Sequence, residues 1–155
     1  MTTDTKSSEF LTFMLAGEEY GVDILRVQEI KGWDAATRLP NTPSFVKGVI
    51  NLRGTIVPIV DLRQKFGLEC AEYGRTTVVI VLRVAGPRGD RIVGVVVDAV
   101  SEVYQVPNEQ VQPAPELGMV HGPRAVTGLA TVDGKMIILL DIDSLLATED
   151  VGLAA

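Results

Sequence analysis

The stretch "VINLRGTIVPIVDL", residues 49–62, consists of two apolar runs that are joined at Arg53 and Gly54. Two β-rich runs that meet at a two-residue turn predict a β-hairpin. Such turns favour Asn-Gly or Asp-Gly, because the first central residue must adopt a positive φ. Arginine is a poor choice at that position. The geometry of the turn therefore does not explain why position 53 is an arginine.

A second copy of this hairpin lies further along the chain. The stretches "GVINLRGTIVPIVDL" from Gly48 and "GLATVDGKMIILLDI" from Gly128 align without a gap, and their apolar positions coincide. The second copy has Asp133 and Gly134 at its turn, which is the favoured hairpin chemistry. Because the same fold accepts aspartate at this position, Arg53 is a departure within the chain itself and a candidate functional residue.

The repeat extends towards the start of each half. The stretches "GVDILRVQEI" from Gly21 and "GVVVDAVSEV" from Gly94 match in the same order and pair Glu29 with Glu102. Each unit is too small to hold a full core alone. We therefore expect two tandem, pseudo-symmetric β units packed face to face as a pair of small barrels.

The rest of the chain is also rich in strand patterns and poor in helices. Turn sequences such as "AGEE", "LPNTP", "AGPRGDR" and "DGK" separate the apolar runs. Short helical turns are expected at residues 25–27, 62–66 and 143–146, none long enough for a crossover helix. The fold class is therefore mainly β. The predicted strands are residues 10–15, 19–24, 46–52, 55–60, 77–84, 91–97, 102–106, 129–132 and 135–141.

Composition limits the class of partner. The chain has 155 residues, 46% of them hydrophobic, and a net charge of -6. An acidic protein without clustered Lys and Arg is not expected to bind nucleic acid or an anionic membrane surface. The longest apolar runs, "VVIVL" and "MIILL", are too short to cross a bilayer, and the start lacks a secretory pattern. We expect a cytoplasmic protein without direct membrane insertion.

Catalytic equipment is sparse. The single histidine, His121, and the single cysteine, Cys70, cannot form a nucleophilic triad or a zinc site, and neither is assigned a role. Asp141 and Asp143 fall two residues apart, but no calcium-binding loop follows, and Asp143 is expected to cap the last helix. The evidence for an enzyme is therefore weak, and no metal or cofactor is expected.

Two classes of function remain. The mixture of apolar and charged residues on exposed turns suits an adaptor that binds other proteins. The alternative is a small-molecule-binding or enzymatic β-barrel whose ligand lies in the groove between the two halves. Thermal shifts with metabolites would separate the two, because a ligand of the native state raises its melting temperature.

Several longer segments resemble the CheW family of bacterial chemotaxis coupling proteins. They include "EEYGVDILRVQEI", "LPNTPSFVKGVINLRGTIVPIVDLRQKFG", "TTVVIVL", "VGVVVDAVSEV" and "VTGL". The resemblance covers residues 9–146 and implies two five-stranded SH3-like barrels that share a hydrophobic core. It places subdomain 1 at about residues 9–75 and subdomain 2 at about 76–146, with strand exchange between them left open. Residues 1–8 and 147–155 are then tails, the first of them disordered.

The resemblance also implies partners. Members of the family bridge the cytoplasmic tips of methyl-accepting chemoreceptors to the regulatory domain of the histidine kinase CheA, within membrane-associated arrays, and they have no enzymatic activity. The isolated protein is expected to be monomeric. Carried over to this chain, the receptor-binding residues are Glu29, Arg53, Val78, Gly94 and Val100, and the kinase-binding residues are Val27, Ile30, Gly48 and Asn51. Glu29 and Arg53 are expected on neighbouring turns and able to form an ion pair.

Overall fold

The computed structural model describes residues 7–34, 36–68, 73–86, 89–113 and 126–146. The two single residues left without a role, Cys70 and His121, lie outside this part of the chain, as does the C-terminal segment 147–155. The first strand begins at Ser7, inside the segment that was expected to be an N-terminal tail.

Strands make up most of the described chain, which confirms the mainly β fold. Within the described residues, the two α-helices have four residues each, and single turns of 3-10 helix occur at Ile24–Arg26 and Asn108–Gln110. The strands are β1 Ser7–Leu15, β2 Glu18–Asp23, β3 Val27–Gly32, β4 Val46–Leu52, β5 Thr55–Asp61, β6 Val78–Val84, β7 Arg91–Val97, β8 Ala99–Pro107, β9 Val111–Gln112, β10 Val126–Val132 and β11 Lys135–Leu140; the helices are α1 Leu62–Lys65 and α2 Ile142–Leu145.

The short helices are capped by matching residues of the repeat. The Asp61 carboxylate accepts the backbone N–H of Arg63 at 2.8 Å, and the Asp141 carboxylate accepts that of Ser144 at 3.4 Å. Asp61 and Asp141 are therefore the N-caps. The expectation that Asp143 caps the last helix is wrong. Asp143 lies in the first turn of α2, because the helix begins one residue earlier than predicted.

The strands form two sheets that do not follow the two halves of the sequence. One has six strands in the order β8-β1-β2-β11-β10-β9, and the other has five in the order β3-β6-β7-β5-β4. The first hairpin, β1-β2, thus lies among strands of the second half, and β6-β7 lies among strands of the first half. Parallel pairs join the two contributions, β11 with β2 and β5 with β7.

The strand register repeats the sequence alignment. Gly21 of β2 pairs with Leu139 of β11, and Gly94 of β7 pairs with Ile59 of β5. The hairpins β4-β5 and β10-β11 each have a register shift at the aligned glycine, Gly48 or Gly128. The two sheets are therefore pseudo-symmetric units of five equivalent strands, and the two-residue β9 is the sixth strand of one of them.

In the part of the chain that the structure describes, buried apolar side chains form three clusters. A shared core packs between the sheets and includes Phe13 of one sheet and Ile80 of the other. A five-strand core, with Val57, Ile59, Val79, Val81 and Val96, and a six-strand core, with Val106, Ala130, Ile137 and Leu139, fill the opposite faces of the respective sheets. Each sheet thus has its own core and contributes to the shared one, as the pair of units predicts.

Candidate functional site

The turn that carries Arg53 has the same backbone as its counterpart in the second half. Arg53 has a φ of 51° and Gly54 a φ of 90°, while Asp133 and Gly134 have φ values of 52° and 78°. Both are the turns with two positive φ values that hairpins favour. The side-chain oxygen of Asn51 accepts the N–H of Gly54 at 2.8 Å and stabilises the first turn. Arginine therefore occupies a left-handed position that suits aspartate or asparagine better.

Arg53 forms an ion pair with Glu29 across the surface of the sheet. The Arg53 Nη2 atom donates to the Glu29 carboxylate. The Arg53 side chain is 74% exposed and that of Glu29 is 28% exposed, so the guanidinium is open to a partner while the carboxylate is partly covered. The predicted pairing of these two residues is confirmed. Glu29 lies in β3, however, and its expected position on a turn is wrong.

Three apolar candidates, Val27, Val78 and Val100, belong to a different surface. All three are half-buried and pack against the shared core. Val78 begins β6, where alternate residues point to opposite faces, so it lies on the face opposite Val81 of the five-strand core. Glu29 pairs with Val81 in the ladder and shares its face. The structure therefore separates these valines from the Arg53–Glu29 pair by the thickness of the sheet.

The two glycine candidates are buried for structural reasons. A Cβ at Gly94 would lie 2.7 Å from Ile59 Cδ1 and 2.8 Å from Val79 Cγ1, so this glycine faces the five-strand core. Gly48 has a φ of +136°, and a Cβ there would lie 2.2 Å from the carbonyl oxygen of Thr37. Both glycines permit close packing inside the fold, and a contact between either one and a partner would be through the backbone.

Four of the exposed large apolar residues in the described chain form two pairs that match in the repeat. Ile30 is 43% exposed and its counterpart Val103 is 49% exposed. Ile56 and Met136, which follow the two equivalent turns, are 61% and 59% exposed. Ile30 was a predicted kinase-binding residue, whereas the other three were missed. The alignment of the two hairpins could have identified Ile56 and Met136, because both interrupt the apolar alternation at the same place.

No group of three or more His, Cys, Asp or Glu in the described residues is arranged to hold a metal ion. Within the same residues, no helix is long and apolar enough to cross a bilayer. The described surface carries exposed guanidinium groups, carboxylates and small apolar patches, which are groups that bind other proteins.

The fold and the paired hairpins match one family of known proteins. The model of the CheW-like domain matches residues 9–150. The chain belongs to the CheW-like domain family. This places it among chemotaxis proteins and agrees with the resemblance carried by the "NLRG" turn and its surroundings.

Relatives of this CheW-like chain are similar over most of their length. The Chemotaxis protein CheW of Klebsiella aerogenes is 51% identical over 150 residues, which are 97% of this chain and 88% of that protein. The Chemotaxis protein CheW of Rhizobium meliloti is 37% identical and covers 92% of this chain and 89% of its own. The similarity thus extends over both halves of the repeat.

A solved structure supports the fold of the CheW-like chain. The crystal structure of the scaffolding protein TtCheW from Thermoanaerobacter tengcongensis superposes with a TM-score of 0.82 at 34% sequence identity. The match covers 90% of this chain and 92% of that one. The two-sheet architecture with few short helices is therefore the architecture of a CheW scaffold.

Proposed function

We propose that this protein is a non-enzymatic chemotaxis adaptor that couples the cytoplasmic tips of chemoreceptors to the histidine kinase CheA. The observation that carries the proposal is the exposed Arg53 guanidinium at a hairpin turn. The second copy of the turn has aspartate with the same backbone, so the fold does not require the cation. A partner with a complementary charge accounts for it.

The proposal assigns two sets of residues to two partners. Receptor tips contact Glu29, Arg53, Val78 and Val100, with Gly94 shaping the strand beneath them. The regulatory domain of CheA contacts Val27, Ile30 and Asn51, with Gly48 shaping β4. Within β3, Glu29 of the receptor set and Ile30 of the kinase set are consecutive residues and point to opposite faces of the sheet. This supports an adaptor, because a bridging protein needs surfaces that can be occupied together.

The kind of contact fits an assembly that exchanges partners. The exposed apolar residues are few and lie apart along the sheets, so each contact is modest in area. A net charge of -6 keeps the isolated chain soluble, and we expect it to be a monomer. The protein acts in the cytoplasm and is recruited to membrane-associated arrays through its partners.

A three-component binding experiment tests the adaptor function. A receptor-tip fragment is immobilised, the kinase regulatory domain is added with or without this protein, and bound kinase domain is measured. We expect the kinase domain to be retained only when this protein is present. Retention should saturate at equal molar amounts of this protein and the kinase domain. Displacement of the adaptor from the receptor by the kinase domain would contradict a bridging role.

A further inference from the structure

The two sheets carry opposite net charges. The five-strand unit comprises residues 27–34, 36–68, 73–86 and 89–97, and the six-strand unit comprises residues 7–26, 98–113 and 126–146. The first has nine Lys and Arg with four Asp and Glu, and the second has two Lys and Arg with ten Asp and Glu. Within the described residues, the net charges are therefore +5 and -8. The cations are scattered along the sequence, and the fold gathers them in one unit.

Two lysines of the five-strand unit meet where α1 lies beside the start of β4. The Lys47 Nζ atom donates to the Gln64 side-chain oxygen at 3.2 Å. The Lys65 Nζ atom lies 4.5 Å from the centre of the Phe45 ring. Gln64 and Lys65 are consecutive in α1, and Phe45 directly precedes β4. These two contacts therefore bring both ammonium groups to one junction between α1 and β4.

A third cation lies along the same strand. Strand β4 is the outermost strand of its sheet, and Thr37 covers part of its edge through two backbone hydrogen bonds of 2.9 and 2.8 Å. Arg38 follows Thr37, and its backbone N would lie 3.1 Å from a Cβ at Gly48, the neighbour of Lys47. Arg38, Lys47 and Lys65 thus lie along one edge of the five-strand sheet. We name these three residues the basic edge.

The acidic residues of the same unit do not neutralise Arg38 or Lys47. Neither cation takes part in the four ion pairs found among the described residues. Two of the four acidic residues pair instead with Arg53 and Arg83, and Asp61 is buried. Arg38 is exposed and Lys47 is half-buried, so both side chains are accessible to a ligand in solvent.

The fold does not require these charges. The alignment of the two hairpins places Thr127 at the position of Lys47 and Leu145 at that of Lys65. Thr127 lies in β10 and Leu145 in α2, which are the strand and the helix equivalent to β4 and α1. The same local structure therefore forms without the cations. The basic edge departs from the repeat and is a candidate for binding.

We propose that the basic edge binds an acidic segment of a protein partner. The carboxylates of such a segment accept charge-assisted hydrogen bonds from the Arg38 guanidinium and the Lys47 ammonium group. Leu39, which follows Arg38, is 36% exposed and adds an apolar contact. The net charge of +5 on the five-strand unit attracts an anionic partner and orients its approach.

A short acidic segment fits this edge better than a larger polyanion does. A nucleic acid or an anionic membrane would extend past the edge and approach the six-strand unit, whose net charge of -8 repels it. Three cations are also few for nucleic acid, whose binding depends on many neutralised phosphates. A segment of a few acidic residues contacts the edge alone. This inference does not rest on the adaptor function, because the basic edge contains none of the residues assigned to receptor or kinase.

The test uses N-acetyl-hexaglutamate amide as the probe and N-acetyl-hexaglutamine amide as its neutral control. The full chain, labelled with ¹⁵N, is titrated with each peptide at constant pH and ionic strength and followed by amide chemical shifts. We expect the acidic peptide to cause saturable shifts at residues 37–39, at the start of β4 and in α1, and the neutral peptide to cause none. Equal shifts with the neutral peptide, or equal shifts at Lys135 of the six-strand unit, would overturn the proposal.

Two further measurements test other occupants of the basic edge. The labelled chain is diluted without peptide to detect a second copy of this chain, and it is mixed with phosphatidylglycerol vesicles to detect a lipid surface. We expect neither treatment to change the amide shifts of the basic edge. Concentration-dependent shifts there, or sedimentation of the protein with the vesicles, would overturn the proposal.

Two charge reversals and a matched control identify the residues responsible. Arg38→Glu and Lys47→Glu should each weaken binding of the acidic peptide at least fivefold, because each replaces an attraction by a repulsion. Lys135→Glu makes the same change in net charge at an exposed lysine of the six-strand unit and should weaken binding less than twofold. Equal weakening by all three variants would show that only net charge matters and would overturn the proposal.

Lys47→Thr separates binding from folding. The substitution copies the residue at the equivalent position of the repeat and removes the cation without adding a negative charge. We expect its melting temperature to stay within about 3 °C of that of the unmodified protein, and its affinity for the acidic peptide to fall at least threefold. A larger fall in melting temperature would mean that the fold itself uses the lysine, and unchanged affinity would mean that the lysine does not bind the peptide. Either result would overturn the proposal.

Discussion

Arg63 and Asp98 form an ion pair that ties the first helix to the second half of the chain. The Arg63 Nε and Nη2 atoms donate to the Asp98 carboxylate at 2.9 and 2.7 Å. Arg26 and Asp143 form the corresponding pair at the other helix, through bonds of 3.0 and 2.9 Å. The two pairs occupy corresponding corners of the repeat with their charges exchanged. Each one links an α-helix from one half to a segment that connects two strands in the other half.

The Asp98 pair predicts a loss of stability in acid. The pKa of Asp98 lies below its ordinary value, chiefly because Arg63 donates a side-chain hydrogen bond to the carboxylate. Desolvation raises this pKa, whereas the hydrogen bond from the Ala16 N–H and the positive charge of Arg63 lower it further. A carboxyl group with a lowered pKa stabilises the fold above its unfolded pKa of about 3.9. This stabilisation is lost as the pH falls through the folded pKa.

Urea unfolding between pH 7 and pH 2 measures this effect. Because the side chains are 19% and 34% exposed, we expect the pair to contribute about 1 kcal/mol at neutral pH. In Asp98→Asn the free energy of unfolding should be lower by that amount at pH 7, and the difference should shrink below pH 4. A constant difference across the whole range would show that Asp98 acts through packing alone.

Arg53→Asp should separate stability from coupling. The substitution copies the second turn of the chain and places a well-suited residue at a φ of 51°. The lost ion pair is largely exposed, so the free energy of unfolding should change by less than about 1 kcal/mol. Receptor-dependent activation of the kinase should fall at least several-fold, because the charge offered to the partner is reversed.

Arg75→Asp is the matched control for that experiment, since Arg75 is an exposed arginine outside the hairpin. It makes the same change in net charge and should leave coupling within twofold of the unmodified protein. Melting temperature and kinase activation are measured side by side for both variants. Intact coupling in a well-folded Arg53→Asp protein would show that arginine at this turn is incidental.

Gly94→Ala should destabilise the protein more than the equivalent change Gly21→Ala. The added methyl group would lie 2.7 Å from Ile59 and 2.8 Å from Val79 in the first case, but 3.1 Å from Leu139 in the second. Overpacking of this kind costs about 1–3 kcal/mol. Thermal unfolding gives both values, and Gly94→Ala combined with Ile59→Val should recover part of the loss. No recovery would mean that the strain lies elsewhere.

Gly48→Ala should cost more than Gly54→Ala, although both glycines have a positive φ. At Gly48 the new Cβ would lie 2.2 Å from the Thr37 carbonyl oxygen, whereas at Gly54 no atom lies within 4 Å. Backbone strain alone costs about 1–2 kcal/mol, and the clash at Gly48 adds to it. Denaturant unfolding of the two variants measures the difference, and equal losses would contradict the close approach.

Ile30→Ser should weaken binding of the kinase regulatory domain about tenfold if the predicted docking surface is right. The residue is 43% exposed, so its loss should disturb the fold little. Val103→Ser, at the equivalent and 49% exposed position, is the control and should leave kinase binding unchanged. Isothermal titration calorimetry measures both affinities. Equal weakening by the two variants would contradict a kinase site confined to the first half.

Local turn chemistry made most of the fold predictable. The bounds of β4 and β7 agree with the predicted strands, because alternation and turn residues mark both ends of each. The repeat correctly matched Asp61 with Asp141, which cap equivalent helices. The helix start at "DIDS" was misplaced by one residue, since two aspartates in that stretch can both act as a cap.

Features that depend on distant partners could not be predicted. Strand β3 was not predicted, because its half-buried positions include the charged residues Glu29 and Lys31. The alternation of apolar and polar residues that marks a strand is therefore absent from its sequence. It forms by pairing with β6, far away in sequence. The parallel pairs that exchange hairpins between halves leave no local pattern either.

The same limits apply to the candidate site. The Arg53–Glu29 pair was predictable because Glu29 has a counterpart in Glu102 whereas Arg53 is matched by Asp133, so only the first half can pair opposite charges. The inward orientation of Gly94 depends on the side chains of Ile59 and Val79, which only the folded sheet brings together. The burial of Glu19 was not predicted because "AGEE" is typical of a turn, and this burial follows from the neighbouring β11.

The interleaved hairpins have a consequence for the covalent chain. Two separate chains, one for each half, that exchanged their first hairpins would build the same two sheets as a swapped heterodimer. Such an assembly would fall apart on dilution, because its stability depends on concentration. Joining the halves through the segment between α1 and β6 makes the exchange intramolecular, and the effective concentration of each half is then set by the length of that segment. The tandem chain can therefore remain folded at the low copy numbers at which two separate halves would dissociate.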